Sequence, residues 1–131
     1  MPRRLISTGS PFEKTAGFSR AVVDGVRHRH GGIVVAGGAG DEAEIAVEDQ
    51  ARNTFRTIAR VLEEAGFALA DAVRATYYIT DRADADRVLA VCGEFLGEIR
   101  PAATLLVVSA LLKPEMKVEI EVTAKRPQAL K

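Results

Sequence analysis

The alternation of apolar and polar positions predicts an order of elements before any single residue stands out. A short β-like start at 3–8 precedes a Pro- and Gly-containing loop at 10–20. Two strands follow, one near Phe18–Val23 and one over Ile33–Ala36, the second closed by Gly37-Gly38. The turn pairs Asp24-Gly25 and Gly31-Gly32 lie between them. From about Ala43 to Ala65 the period becomes helical. Val47, Ala51, Phe55, Ile58, Leu62 and Ala65 recur every three or four residues, and Gly66 follows as a C′ stop. Residues 72–80 alternate, with Val73, Ala75, Tyr77 and Ile79 on one face and Arg74, Thr76, Tyr78 and Thr80 on the other. Asp81, with Asp84 three residues on, offers a capping box to a second helix. That helix carries the stripe Val88, Cys92 and Phe95, and Gly97 ends it.

Two strands close the chain. Residues 103–109 are apolar on both faces, which predicts cover on both sides. Residues 116–124 alternate, with Met116, Val118, Ile120 and Val122 opposed to Lys117, Glu119, Glu121 and Thr123. The order is β-β-β-α-β-α-β-β. Helix-to-strand units permit parallel pairing through right-handed crossovers, with both helices on one face of a mixed sheet. The other face is then open, and a strand as apolar as 103–109 needs a partner subunit to cover it.

Length and charge narrow the class. At 131 residues the chain is read as one domain, 1–131. Lys+Arg and Asp+Glu both number 18, so formal net charge is zero, and the electrostatic case for nucleic acid or an anionic membrane disappears. The single cysteine, Cys92, cannot form an internal disulfide. No apolar run suits a signal peptide or a spanning helix, so a cytoplasmic location is expected.

Candidate chemistry is sparse. Glu119 and Glu121 share a strand face, and paired carboxylates can divide acid and base roles or simply form a solvated edge. His28 and His30 form an H-x-H pair in a basic turn without companion ligands. Cys92 sits on an apolar stripe and reads as core. "GGAG" (37–40) lacks both the P-loop lysine and the spaced glycines of a dinucleotide fingerprint, and reads as a turn. Arg52, Arg56 and Arg60 form a row on a solvated helix face.

Five segments then carry a resemblance. "GFSRAV", "IVVAGGAG", "VRATYYITD", "RPAAT" and "PEMKVEIEVTA" occur in the order and spacing of the Rid family, the YjgF-like reactive intermediate deaminases also labelled endoribonuclease L-PSP. The resemblance covers nearly the whole chain. It implies an α+β, chorismate-mutase-like (YjgF-like) fold: a mixed β-sheet with two helices on one face. It also implies a homotrimer whose sheets close into a central barrel, with a small-molecule cleft at each subunit boundary. The best-known members hydrolyse imines and enamines to a 2-oxo acid and ammonia, without cofactor or metal. An arginine there pairs with the substrate carboxylate, and a glutamate positions water.

Carried across position by position, that site is altered. The family arginine falls on Ala103, followed by Thr104. The serine of its V-S-G pattern falls on Ala36, before Gly37. Its tyrosine falls on Phe18, which keeps the ring and loses the hydroxyl. The asparagine that often opens the second helix falls near Ala83, and the cysteine after the arginine falls on Leu105. Glu119 is retained as the catalytic candidate, with Phe18, Ala36, Gly37, Ala103 and Thr104 as substrate-binding positions. Arg20 and Arg100 are the two candidates to replace the missing charge, and the sequence places neither in the cleft. The resemblance thus implies a cofactor-independent hydrolase or deaminase of a reactive imine, enamine or related metabolite. The alternative is a non-catalytic trimer that binds a small ligand or acts as a regulator. The endoribonuclease label comes last, because single-strand binders need a basic groove and stacking rings, and only 5% of this chain is aromatic.

Overall fold

The computed structural model describes residues 3–7, 9, 20–24, 32–38 and 45–125. Among these, the strands are β1 (Arg4–Ile6), β2 (Ala21–Asp24), β3 (Gly32–Gly38), β4 (Ala72–Ile79), β5 (Ala102–Val107) and β6 (Val118–Lys125). The helices are α1 (Val47–Glu64) and α2 (Ala85–Leu96), and short 3-10 turns at Leu69–Asp71 and Arg82–Asp84 lead into β4 and α2. Among the described residues the order β-β-β-α-β-α-β-β is the one the periodicities predict, and the fold is α+β.

The six strands form one sheet in the order β1-β2-β3-β6-β4-β5. The last strand inserts between β3 and β4 and runs antiparallel to both. β4 and β5, joined through α2, are parallel, from Arg74 opposite Ala102 to Ile79 opposite Val107.

α1 forms because its stripe finds a sheet to cover. Val47, Ala51, Phe55, Ile58, Leu62 and Ala65 are all buried, together with Val61. Glu48 and Asp49 in the first turn complement the helix dipole. The helix stops at Gly66, whose φ of 83° is easy only for glycine. There the Gly66 N–H donates to Glu63 O at 3.0 Å and the Phe67 N–H to Leu62 O at 2.8 Å, a Schellman closure that also buries Phe67 against the core.

α2 packs on the same side. Val88, Val91, Cys92 and Leu96 are buried, and Phe95 stacks on Phe55 with centroids 4.8 Å apart. The Arg52 guanidinium grips both carboxylate oxygens of Glu94 at 3.0 and 2.9 Å, bridging the helices. Arg52 therefore does more than line a solvated face. Beneath the helices lie Ala75, Tyr77 and Ile79 from β4 and Val118, Ile120, Val122 and Ala124 from β6, all buried.

Two expectations need correction. Asp81 caps the 3-10 turn through the Ala83 N–H at 2.9 Å, but Asp84 returns no bond; its carboxylate pairs with Arg87 instead, so no capping box forms. Val73 does not share the buried face of β4: the pairing with β6 slips between Ala72 and Arg74, Ala72 is buried and Val73 is 46% exposed. α2 ends where the pattern predicts, at Leu96 with Gly97 as its C-cap at φ −57°, and the chain turns at Arg100, with φ 55°. The expected cover for β5 is a partner subunit; within one chain β5 is the edge of the sheet, with Leu106 and Val107 45% and 47% exposed.

Candidate functional site on the open sheet face

The helices cover one face of the sheet, and polar side chains collect on the other. Strand alternation puts Glu119, Glu121 and Thr123 of β6 there, each half-buried, beside Arg74, Thr76 and Tyr78 of β4. The register sets Tyr78 opposite Glu119, Thr76 opposite Glu121 and Arg74 opposite Thr123. The Tyr78 hydroxyl donates to Glu121 Oε1 at 2.6 Å.

Glu119 is the perturbed carboxyl of this face. Burial pushes its proton affinity above the ordinary glutamate range, the negative charge of Glu121 pushes it further, and the positive charge of Arg20 pulls it back. The last effect places Arg20, just ahead of β2, within electrostatic reach of Glu119. A carboxyl partly withdrawn from water, with an elevated proton affinity, has the character of a group that accepts and returns a proton. The Tyr78 phenol is likewise raised, first by its bond to Glu121 and then by burial and the charges of Glu121 and Glu119.

The other candidate positions are distributed. Ala103 lies opposite Ala75 in the β4–β5 register, and Ala75 is a buried residue of the helix-covered face. Ala103 thus belongs to that face and Glu119 to the opposite one. Within one chain the two do not meet. Thr104, exposed and opposite Thr76, is on the open face. Ala36 pairs with Glu121 across β3–β6. Gly37 pairs with Ile120 and is buried under α1; a Cβ there would stand 3.3 Å from Thr54 Cγ2 and 3.5 Å from Ile58 Cγ1. Close helix-to-sheet approach accounts for this glycine. Arg100 is exposed, at the turn before β5. Phe18, His28, His30 and residues 39–40 of the glycine-rich turn lie outside the described residues.

Two buried features escaped the sequence reading. Gln50 is fully buried on α1; its Nε2 donates to Glu115 O at 3.0 Å, and the Lys117 N–H donates to its Oε1 at 3.0 Å. This amide fixes the segment that delivers β6 and hence Glu119. Only its place beside Ala51 on the helix hinted at burial. The second is the Tyr78–Glu121 bond, for which strand alternation alone supplies faces and not partners. Cys92 is core, as expected: burial pushes its thiol up to about 11. Among the described residues no three His, Cys, Asp or Glu side chains gather as a metal site, and no helix is long and apolar enough to cross a membrane.

Comparison with known proteins agrees with this architecture. A crystal structure of a Mycobacterium tuberculosis protein, described as a member of the highly conserved YjgF/YER057c/UK114 family, superposes with a TM-score of 0.84 at 34% identity, over 95% of this chain and 99% of the other. An uncharacterised protein of Streptomyces coelicolor is 31% identical over 94% of this chain and 92% of its own length. A RutC family protein of Pyrococcus horikoshii is 36% identical over 60% of this chain and 61% of its own. The family model described as endoribonuclease L-PSP matches residues 8–126. On the match over residues 8–126 and the likeness to the mycobacterial structure, the chain belongs to the endoribonuclease L-PSP (YjgF) family.

Proposed function

We propose that this chain is a cytoplasmic homotrimeric hydrolase of a small reactive imine, enamine or related metabolite, acting without cofactor or metal in clefts between subunits. The observation that carries this reading is Glu119: a half-buried carboxyl with raised proton affinity on the sheet face opposite the two described helices. In the proposed reaction Glu119 takes a proton from water as the water oxygen bonds to the imine carbon. It returns that proton to nitrogen, giving a carbinolamine, then takes the hydroxyl proton and passes it to nitrogen as the carbon–oxygen double bond forms and the carbon–nitrogen bond breaks. Water is consumed, and a carbonyl compound and ammonia leave.

The separation of Ala103 and Glu119 onto opposite faces supports a composite cleft. A pocket that uses both positions has to take them from two copies, one offering the β5 edge and the other its open sheet. Leu106, exposed on β5, gives the contact its apolar part. The pocket would lack the guanidinium that family members use for a carboxylate, which favours a neutral or less carboxylate-dependent substrate.

That same alanine favours a second reading, a trimer that binds a small ligand and does no chemistry. The two separate in one assay. The purified protein is given 2-aminoacrylate, generated in situ by a dehydratase, and ammonia release is timed. Acceleration over buffer that disappears in Glu119→Gln supports hydrolysis. No acceleration, with Ala103→Arg gaining activity, leaves the binding reading.

A further inference from the structure

We propose that Tyr78 is a positioning residue: its hydroxyl ties down the Glu121 carboxylate and leaves Glu119 as the member of the pair that exchanges protons. The inference rests on the reading of Glu119 as the proton-handling group.

The geometry is a diagonal. Tyr78 stands directly opposite Glu119, and Thr76 opposite Glu121. The direct neighbour is the nearer one along a ladder, yet the Tyr78 hydroxyl passes it and donates to Glu121 at 2.6 Å. That length belongs to an O–H donor on a charged oxygen. A phenol has one proton to give, so the proton on Glu121 is withheld from Glu119. A phenylalanine would fill the same half-buried strip of sheet, so packing alone does not call for the hydroxyl.

Two carboxylates two residues apart on a strand face have their Cα atoms roughly 7 Å apart. Both carboxylates lie on one face, and only Glu121 accepts the tyrosine's proton. The tyrosine breaks the symmetry. It holds the Glu121 charge at a fixed place, from which that charge raises the proton affinity of Glu119. Other charged groups bear on the same pair. Arg20 ahead of β2 opposes the rise at Glu119, and Arg74 on β4 opposes the rise at Tyr78. Lys117, the residue just before β6, is two residues ahead of Glu119. β3, the other neighbour of β6, carries no titratable side chain over residues 32–38.

The test follows the carboxyl carbon of Glu119 against pH by NMR in protein carrying ¹³C-glutamate. The variants are Tyr78→Phe, Glu121→Gln and the two combined. Each single change should lower the Glu119 midpoint, by about half a unit, a roughly threefold loss of proton affinity. Tyr78→Phe should add nothing once Glu121 is glutamine. An unmoved midpoint in Tyr78→Phe overturns the proposal, and so does an equal shift in both backgrounds. Should the phenylalanine variant fail to fold, 3-fluorotyrosine at position 78, a stronger donor of similar size, has to raise the midpoint; no rise refutes the role. The midpoint is independent of turnover, so an inactive wild type would remove the hydrolase reading without moving this result.

Discussion

Ala103 on β5 and Glu119 on β6 belong to opposite faces of the same sheet, with β4 between their strands. If they meet, they meet across a subunit boundary, and this can be tested by mixing. Ala103→Arg should raise hydrolysis of 2-aminoacrylate at least about tenfold, since a charge-assisted pair to a carboxylate is worth on the order of 2–5 kcal/mol. A double variant, Ala103→Arg with Glu119→Gln, should be inactive alone. Refolded with wild-type chains, it should regain the raised rate, because mixed clefts take the arginine from one copy and the glutamate from the next. A mixture no faster than wild type alone would show that the site lies within one chain.

The β5 edge predicts the association itself. Leu106 and Val107 leave apolar surface and an unpaired strand edge in water. Leu106→Glu places a charge on that surface without touching the core. Light scattering after gel filtration should show the wild type at three times the chain mass and the variant at one. A wild-type monomer would contradict the proposed assembly outright.

Gln50 should be worth far more than a polar helix residue usually is. Its removal strands the Lys117 N–H and the Glu115 carbonyl, which it now pairs. Leaving such groups unsatisfied costs about 1–3 kcal/mol each. Gln50→Leu, close in size, should lower the unfolding free energy by about 2–4 kcal/mol in a urea titration monitored by circular dichroism. A loss under about 0.5 kcal/mol would mean that water replaces the amide.

The pattern of the chain made local structure legible and left strand order hidden. The six-residue stripe of α1 is buried as its period demanded, and β6 alternates as its residues do. Periodicity reports faces. It does not report neighbours, so it could not place β6 between β3 and β4, or show that the doubly apolar β5 lies at an edge. Gln50 was missed for a related reason: its amide is satisfied by backbone more than sixty residues away. Arg52 looked like part of a solvated row until α2 brought Glu94 beside it. Of the candidate site, Glu119 and its face were readable from alternation, whereas its partners depend on the register.

Glu119 should reveal its role through a conflict between stability and function. Its folded-state proton affinity is raised, first by burial and then by Glu121. A carboxyl raised on folding adds stability while it is protonated and loses that contribution as pH climbs through its folded value. Below the ordinary glutamate range both folded and unfolded chains carry the proton, so Glu119→Gln and wild type should be equally stable. As pH rises from there through the folded value, the wild type has to hold a half-buried charge that glutamine avoids. The variant should become progressively the more stable of the two and keep that lead at neutral pH, while ammonia release from 2-aminoacrylate falls to the buffer rate. Urea unfolding of both proteins from pH 4 to 8 measures the gap. A constant gap across that range, or one that favours the wild type at neutral pH, would mean that the carboxylate is stabilised in the folded protein and is not poised to carry a proton.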